Sequence, residues 1–206
     1  GVETDYSAAD MTVPEEIGAI AQDMGVSRQT LRQKAESLHE FNPMLGHRGC
    51  RVGLTMPELY EMQIRAIVTA ACRLAQEGHT IYPEVMVPIV SHVNELRWLH
   101  PRLAAVIEKT LADEGVEVPY KFGTMIETPR AALTADEFAE IAEFFSFGTN
   151  DLTQMVFGIS RDDAEAGFLV HYLEKNILPE SPFASLDLVG VGRLMEMAVQ
   201  YGRKTK

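Results

Sequence analysis

Two carboxylates stand out because each sits just behind a short apolar run. Glu127 follows Tyr120-Lys-Phe-Gly-Thr-Met-Ile126, and Asp151 follows Phe144-Phe-Ser-Phe-Gly-Thr-Asn150. Such runs read as buried strands. Carboxylates at the ends of consecutive strands offer an oxygen-only site with room for substrate and water, which suits Mg²⁺ or Mn²⁺. Zn²⁺ fits less well, because no His or Cys pair lies beside them. Taken singly, each acid could instead cap a helix. The intervening Gly148, Thr149 and Asn150 offer a close backbone approach, a hydroxyl and an amide. Exposed N–H groups at a strand-to-helix turn bind oxyanions, although the same tripeptide also makes a simple turn.

Two further groups carry positive charge. In Gly46-His-Arg-Gly-Cys-Arg51, Arg48 and Arg51 stand among glycines and suit recognition of phosphate or carboxylate, where the planar guanidinium binds as a fork. Arg51 could equally be a solvent-facing helix residue, and His47 reads as a hydrogen-bonded structural histidine rather than a phosphate carrier. Arg161 comes ten positions after Asp151. It could fold back over the same site, but the residues alone favour a surface salt bridge. Cys50, Cys72 and the methionines Met86, Met125 and Met155 are expected to fill core space.

The elements that must position these groups alternate. Residues 1–12 read as a mobile lead-in and 13–40 as a small helical insertion. In that insertion Gly25 ends one helix and Ser27 caps another. Thr55-Met-Pro-Glu58 reads as a capping box opening a helix through Leu59, Met62, Ala66, Ile67, Ala70 and Leu74, stopped by Gly78. Ile81–Val90 reads as a buried strand limited by Pro83 and Pro88. Ser91 is the expected cap of the next helix, which buries Leu96, Leu99, Leu103, Val106 and Ile107, and Pro101 predicts a kink or break in it. After the Tyr120–Ile126 strand, Thr128-Pro129 starts a helix through Leu133, Phe138 and Ile141, and Phe144–Gly148 is a further strand. Strand, helix and strand in turn indicate a parallel sheet of βαβ units, with chemistry at the C-terminal strand ends. The helix from Val191 to Tyr201 is expected to dock on the sheet's outer face through Leu194, Met197, Ala198 and Tyr201.

The chain has 206 residues, 46% of them hydrophobic, which is ample for a packed core. With 18 basic and 30 acidic side chains, its net charge of −12 repels nucleic acid and anionic membranes. No apolar run is long enough for a membrane span. Two cysteines make no disulfide framework, so a reduced, cytoplasmic setting is expected.

Three segments carry a family resemblance: Asn42-Pro-Met-Leu-Gly-His-Arg-Gly-Cys-Arg51, Gly123-Thr-Met-Ile-Glu-Thr-Pro-Arg-Ala-Ala132 and Phe144-Phe-Ser-Phe-Gly-Thr-Asn-Asp-Leu-Thr-Gln154. They are similar to the C-terminal domain of the pyruvate, phosphate dikinase family, a (β/α)₈ TIM barrel that binds phosphoenolpyruvate and pyruvate. The resemblance runs from about Ile17 to the end and implies a partial barrel over residues 41–206 with about half the strands. It implies that Glu127 and Asp151 hold Mg²⁺, or Mn²⁺, and that Gly148, Thr149 and Asn150 bind substrate oxygens. Arg48 matches a phosphate-binding Arg, and Arg161 matches one that helps close the site. In the family, a phosphohistidine on a swivelling domain exchanges its phosphoryl group with the enolate oxygen of pyruvate. The family's Cys-Arg-Thr-Glu strand, its second phosphate-binding Arg strand and the Gly-Ile-Cys-Gly-Glu strand with the acid Cys do not occur here. The chain is therefore expected to be a central slice without its own catalytic acid, inactive alone on phosphoenolpyruvate. Phosphoenolpyruvate synthase and the phosphotransferase system's enzyme I share the Gly-Thr-Asn-Asp run, so a segment of either is an alternative. So is a non-catalytic fragment that only binds metal or oxyanion. Val85, Val87, Ile89 and Met125 are expected to face missing barrel layers or helices, leading either to self-association through open sheet edges or to loose packing near the termini.

Overall fold

The computed structural model describes residues 20–37 and 42–205. The expected lead-in over 1–12 and the start of the helical insertion lie outside them. The chain divides into two compact units, Gly1–Arg48 and Gly49–Lys206. In the first, a helical turn over residues 20–23 ends at Gly25, whose φ of 66° is the left-handed conformation glycine adopts without cost. The Ser27 hydroxyl then accepts the Thr30 N–H at 3.0 Å and opens α1, Arg28–Ser37, as expected.

The second unit is built on three parallel strands, β1 (Glu84–Val87), β2 (Lys121–Ile126) and β3 (Phe145–Phe147), in the order β1-β2-β3. Val85 pairs with Phe122, and Ile126 with Phe147. Paired residues of parallel strands share a face. One face therefore carries Val85, Val87, Phe122, Thr124, Ile126, Phe145 and Phe147. The other carries Glu84, Met86, Lys121, Gly123, Met125 and Ser146.

Helices cover the first face. Before β1 come α2 (Cys50–Thr55) and α3 (Pro57–Gln76), and between β1 and β2 lies α4 (Val93–Glu114). Leu96, Leu99, Leu103 and Ile107 recur at helical spacing in α4 and are fully buried, and α4 packs along α3. Burying each such side chain stabilises the unit by roughly 1.5–3 kcal/mol. Between β2 and β3 lie α5 (Pro129–Leu133) and α6 (Ala135–Ala139). After β3 come α7 (Thr149–Phe157), α8 (Arg161–Ala166), α9 (Phe168–Glu174) and α10 (Val191–Thr205). As expected, α10 docks on the helix side, against α5 and α6, with Val191 and Ala198 buried and Leu194 and Tyr201 packed on the core.

Several expectations are corrected. Thr55 does not cap α3. It ends α2, its hydroxyl donating to the Arg51 carbonyl at 3.0 Å, and α3 starts at Pro57 with no side-chain cap. The residues of α3 that pack inward are Ile64, Val68, Ala71 and Cys72, whereas Leu59, Met62, Ile67 and Leu74 are exposed. This helix has two apolar stripes, and periodicity alone cannot choose between them. The cap of α4 is His92, not Ser91. Glu95 accepts the N–H groups of both Ser91 and His92, completing a capping box one residue later than expected. Pro101 does not break α4, which runs on to Glu114 with buried leucines on both sides of the proline. The helix after β2 is split at Thr134. Val85 and Val87 do not face a missing layer or helix but are buried in the core on the helix side, and Ile89 is buried as well. The opposite face is the open one: Met86, expected in the core, is 39% exposed. Among the described residues, no helix is long and apolar enough to cross a membrane.

Candidate functional site at the C-terminal strand ends

The polar side chains that end β2 all reach one way, to the backbone that leaves β1. Within the strand, the Thr124 hydroxyl donates to the Val87 carbonyl at 2.7 Å. Just past it, Glu127 Oε1 accepts the Ile89 N–H, and the Thr128 hydroxyl donates to the Val90 carbonyl at 2.8 Å. The Arg130 guanidinium completes the row on the Ser91 carbonyl. Buried polar groups must be paired, and here a backbone segment that has left its ladder supplies the partners. Thr128 also accepts the Ala131 N–H at 3.2 Å and so caps α5, as the Thr-Pro pair suggests.

Glu127 is 2% exposed. Its other carboxylate oxygen faces Gly148. A Cβ built on Gly148 would lie 2.0 Å from Glu127 Oε2, so only glycine fits there. The carboxylate of β2 is thus set between the backbone after β1 and the backbone after β3. Gly148 is the N-cap of α7, and Thr149, Asn150 and Asp151 form its first turn at the same end of the parallel sheet as Glu127. Asp151 is half-buried and Asn150 exposed. The first-turn N–H groups and the helix dipole favour negative charge at that end.

Ile89 has φ 55°, a left-handed conformation that is unusual for a β-branched residue. It is held from the side of α2. Cys50 N–H donates to the Pro88 carbonyl at 3.0 Å, and the Cys50 thiol donates to the Ile89 carbonyl at 3.1 Å. Cys50 is fully buried, and burial, reinforced by the Glu95 carboxylate, pushes its pKa up to about 12. Burial also raises the Tyr60 hydroxyl, helped by Cys50 and Glu127 nearby.

The remaining expected residues have contacts of their own. Arg48 belongs to the first unit, where its guanidinium donates to the Met44 carbonyl at 3.1 Å. Arg51 is the second residue of α2. Arg161 pairs with Glu165 at 3.2 Å and stacks over the Phe183 ring at 5.5 Å, and its N–H donates to the Gln154 side chain at 2.7 Å. That is the surface ion pair its residue context favours. Not foreseen from residue order were the roles of Thr124 and Ile89, the bond of Thr128 to Val90 and the partners of Cys50. The two threonines inside or next to apolar runs were the available signal, since a buried hydroxyl demands a partner.

The donor set fits a hard divalent cation. It holds a buried carboxylate with one oxygen over a glycine and a second carboxylate one helical turn from that glycine. Among the described residues no cluster of three or more His, Cys, Asp or Glu side chains forms a metal cage. Two carboxylates with the rest supplied by substrate and water is how Mg²⁺ is commonly held.

Comparison with known proteins agrees with the motifs. The family model described as PEP-utilising enzyme, PEP-binding domain, matches residues 8–206. The chain is 52% identical over 193 residues to a pyruvate, phosphate dikinase of Rhizobium meliloti (strain 1021), covering 93% of this chain and 21% of the relative. It is 51% identical over 193 residues to that of Clostridium symbiosum, with 93% and 22% covered. It is 52% identical over 187 residues to the chloroplastic pyruvate, phosphate dikinase 1 of Arabidopsis thaliana, with 91% and 19% covered. The chain thus spans about a fifth of the length of these relatives. With a model match over nearly its whole length, the chain belongs to the PEP-utilising enzymes, within their PEP-binding domain.

Proposed function

We propose that this chain is the metal- and substrate-binding segment of a phosphotransferase that interconverts pyruvate and phosphoenolpyruvate through a phosphohistidine on another domain. In the whole enzyme, ATP, pyruvate and phosphate would become AMP, phosphoenolpyruvate and diphosphate. The observation that carries the reading is the buried Glu127 carboxylate, set over Gly148 at the C-terminal strand ends in a chain about half identical to dikinases. Glu127 and Asp151 are the residues that would hold Mg²⁺ or Mn²⁺. When bound, such an ion lowers the cost of negative charge on an enolate oxygen. The N–H groups of Thr149 and Asn150 and their side chains orient the substrate's oxygens, and the glycine at 148 lets the substrate approach the backbone. Arg48 and Arg161 would meet the phosphate and carboxylate ends in the assembled enzyme, which requires Arg161 to exchange its pairing with Glu165. Their forked guanidinium groups suit both anions.

We further propose that the sheet is part of a (β/α)₈ barrel. A purely parallel sheet with consecutive strand order and helices on one face is rarely stable with its other face open. Here that other face carries the exposed Met86. The cytoplasmic setting belongs to the same reading, resting on two cysteines that are both free thiols.

The test has two arms. Mn²⁺ titration of this chain, followed by the resonance of the free ion, should show binding that Glu127→Gln and Asp151→Asn each weaken by about tenfold or more. In the full-length polypeptide, the same substitutions should lower phosphoenolpyruvate formation by roughly 10²–10³-fold. Wild-type turnover in either variant would overturn the assignment.

A further inference from the structure

We infer that Cys50 is a positioning residue for Glu127, acting through the backbone of Ile89. This rests on the reading of Glu127 as a metal ligand. The observation is a set of contacts that converge on one residue. Ile89 lies between two peptide planes, and its positive φ is set by their relative orientation. The first plane is held at both ends: Cys50 N–H donates to the Pro88 carbonyl, and the Ile89 N–H donates to Glu127 Oε1. The second plane is held by the Cys50 thiol on the Ile89 carbonyl. Gly49 closes the arrangement from behind, since a Cβ there would lie 2.8 Å from the Ile89 Cβ.

A β-branched residue at φ 55° is strained and persists only where its surroundings over-determine it. Cys50 supplies two of the three hydrogen bonds that do so, one from each side of its own peptide-to-side-chain reach. Releasing the thiol contact lets the second plane turn toward the ordinary negative-φ region. Because both planes meet at the Ile89 Cα, that turn loosens the first plane as well, and the Ile89 N–H loses its fixed aim at the carboxylate. Glu127 loses the donor that fixes which of its oxygens points at Gly148 and the cation side. Groups that orient a ligand without touching the ion typically change metal affinity by about 10–100-fold.

The competing account is that Cys50 merely fills space, and two substitutions separate the accounts. Cys50→Val keeps apolar volume but removes the donor, whereas Cys50→Ser keeps a donor and loses volume. Mn²⁺ affinity of this chain is measured for wild type, Cys50→Val, Cys50→Ala and Cys50→Ser, together with thermal melting and the hydrogen-exchange rate of the Ile89 amide. We expect Cys50→Val and Cys50→Ala to weaken Mn²⁺ binding by about tenfold or more, and Cys50→Ser to stay within about threefold of wild type. The Ile89 amide should exchange at least about tenfold faster in the Val and Ala variants, while the Phe122 amide is unchanged. If Cys50→Val binds Mn²⁺ as wild type does, or if Cys50→Ser fares no better than Cys50→Ala, the inference is overturned. Failure of the underlying metal reading looks different: wild type and Glu127→Gln would then bind Mn²⁺ alike. The Ile89 amide still decides in that case, and equal exchange in all variants overturns the link between Cys50 and Ile89. Should Cys50→Val not fold, the Ala and Ser variants carry the same contrast.

Discussion

Glu127 has little water around it, so its geometry is decided by neighbours it cannot push aside. Gly148 is the tightest of them. A methyl group there would occupy the space of Glu127 Oε2. Gly148→Ala should therefore cost about 1–3 kcal/mol, measured by urea unfolding, and should weaken Mn²⁺ binding together with stability. A second residue-scale prediction concerns alkaline pH. The Cys50 thiol has a pKa near 9 when unfolded and about 12 in the fold, and Tyr60 is shifted in the same direction from 10. Both groups are neutral in the folded state while the unfolded chain ionises. The unfolded state then binds fewer protons, so stability is fully present below about pH 9 and falls as pH rises toward 12. Urea midpoints at pH 8 and 10.5 should show the drop, and Cys50→Ala should flatten it. Carboxylates at strand ends and a Gly-Thr-Asn run were legible because residue type and position both pointed to chemistry. Ile89 was not, because nothing in a β-branched residue after proline announces a positive φ. Its conformation is imposed by Cys50, 39 positions away.

At the scale of elements, what residue order says clearly is where helices and strands exist, and what it says poorly is how they end and which side they bury. Gly115 closes α4 in the left-handed conformation, and Thr128 caps α5, both as residue type suggests. The outward stripe of α3 and the unbroken course of α4 through Pro101 are tertiary outcomes. In each, contacts with the sheet and with a neighbouring helix outweigh a local rule. Pro101 leaves one α4 carbonyl without its helical partner and is exposed. Pro101→Ala should raise stability by roughly 2 kcal/mol, the gain of a helical N–H less the lost stiffness of the unfolded chain. A higher urea midpoint with unchanged slope would confirm it, and no change would mean that the helix already compensates. Thr128→Ala removes both the cap and the bond to Val90 and should cost about 1–2 kcal/mol. Its Mn²⁺ affinity should fall as well, because the segment that holds Ile89 is loosened.

At the scale of the molecule, three parallel strands with helices on one face leave the outward edges of β1 and β3 without a partner strand among the described residues. A cavity of about 250 Å³ opens beside β3, lined by Phe145, Phe147, Val199 and Gly202. Edge strands of this kind recruit partners. We expect sedimentation at rising concentration to show species heavier than one chain, and Met86→Lys, on the open face, to shift them toward monomer. A single monomeric species at all concentrations would sink this expectation.

The open face also carries a chemical reporter. Met86 is 39% exposed and Met125 half-buried on it, while Met62, on the solvent side of α3, is 60% exposed. Thioether oxidation follows access to peroxide, and each sulfoxide adds one oxygen that mass spectrometry counts residue by residue. In the isolated chain at low concentration, Met86 should oxidise at a rate comparable with Met62. Inside the longer polypeptide, or at concentrations where copies meet, Met86 should fall silent while Met62 continues to react. The sulfur of one methionine thus tells whether the bare side of the sheet is wet or roofed, without any need to crystallise what covers it.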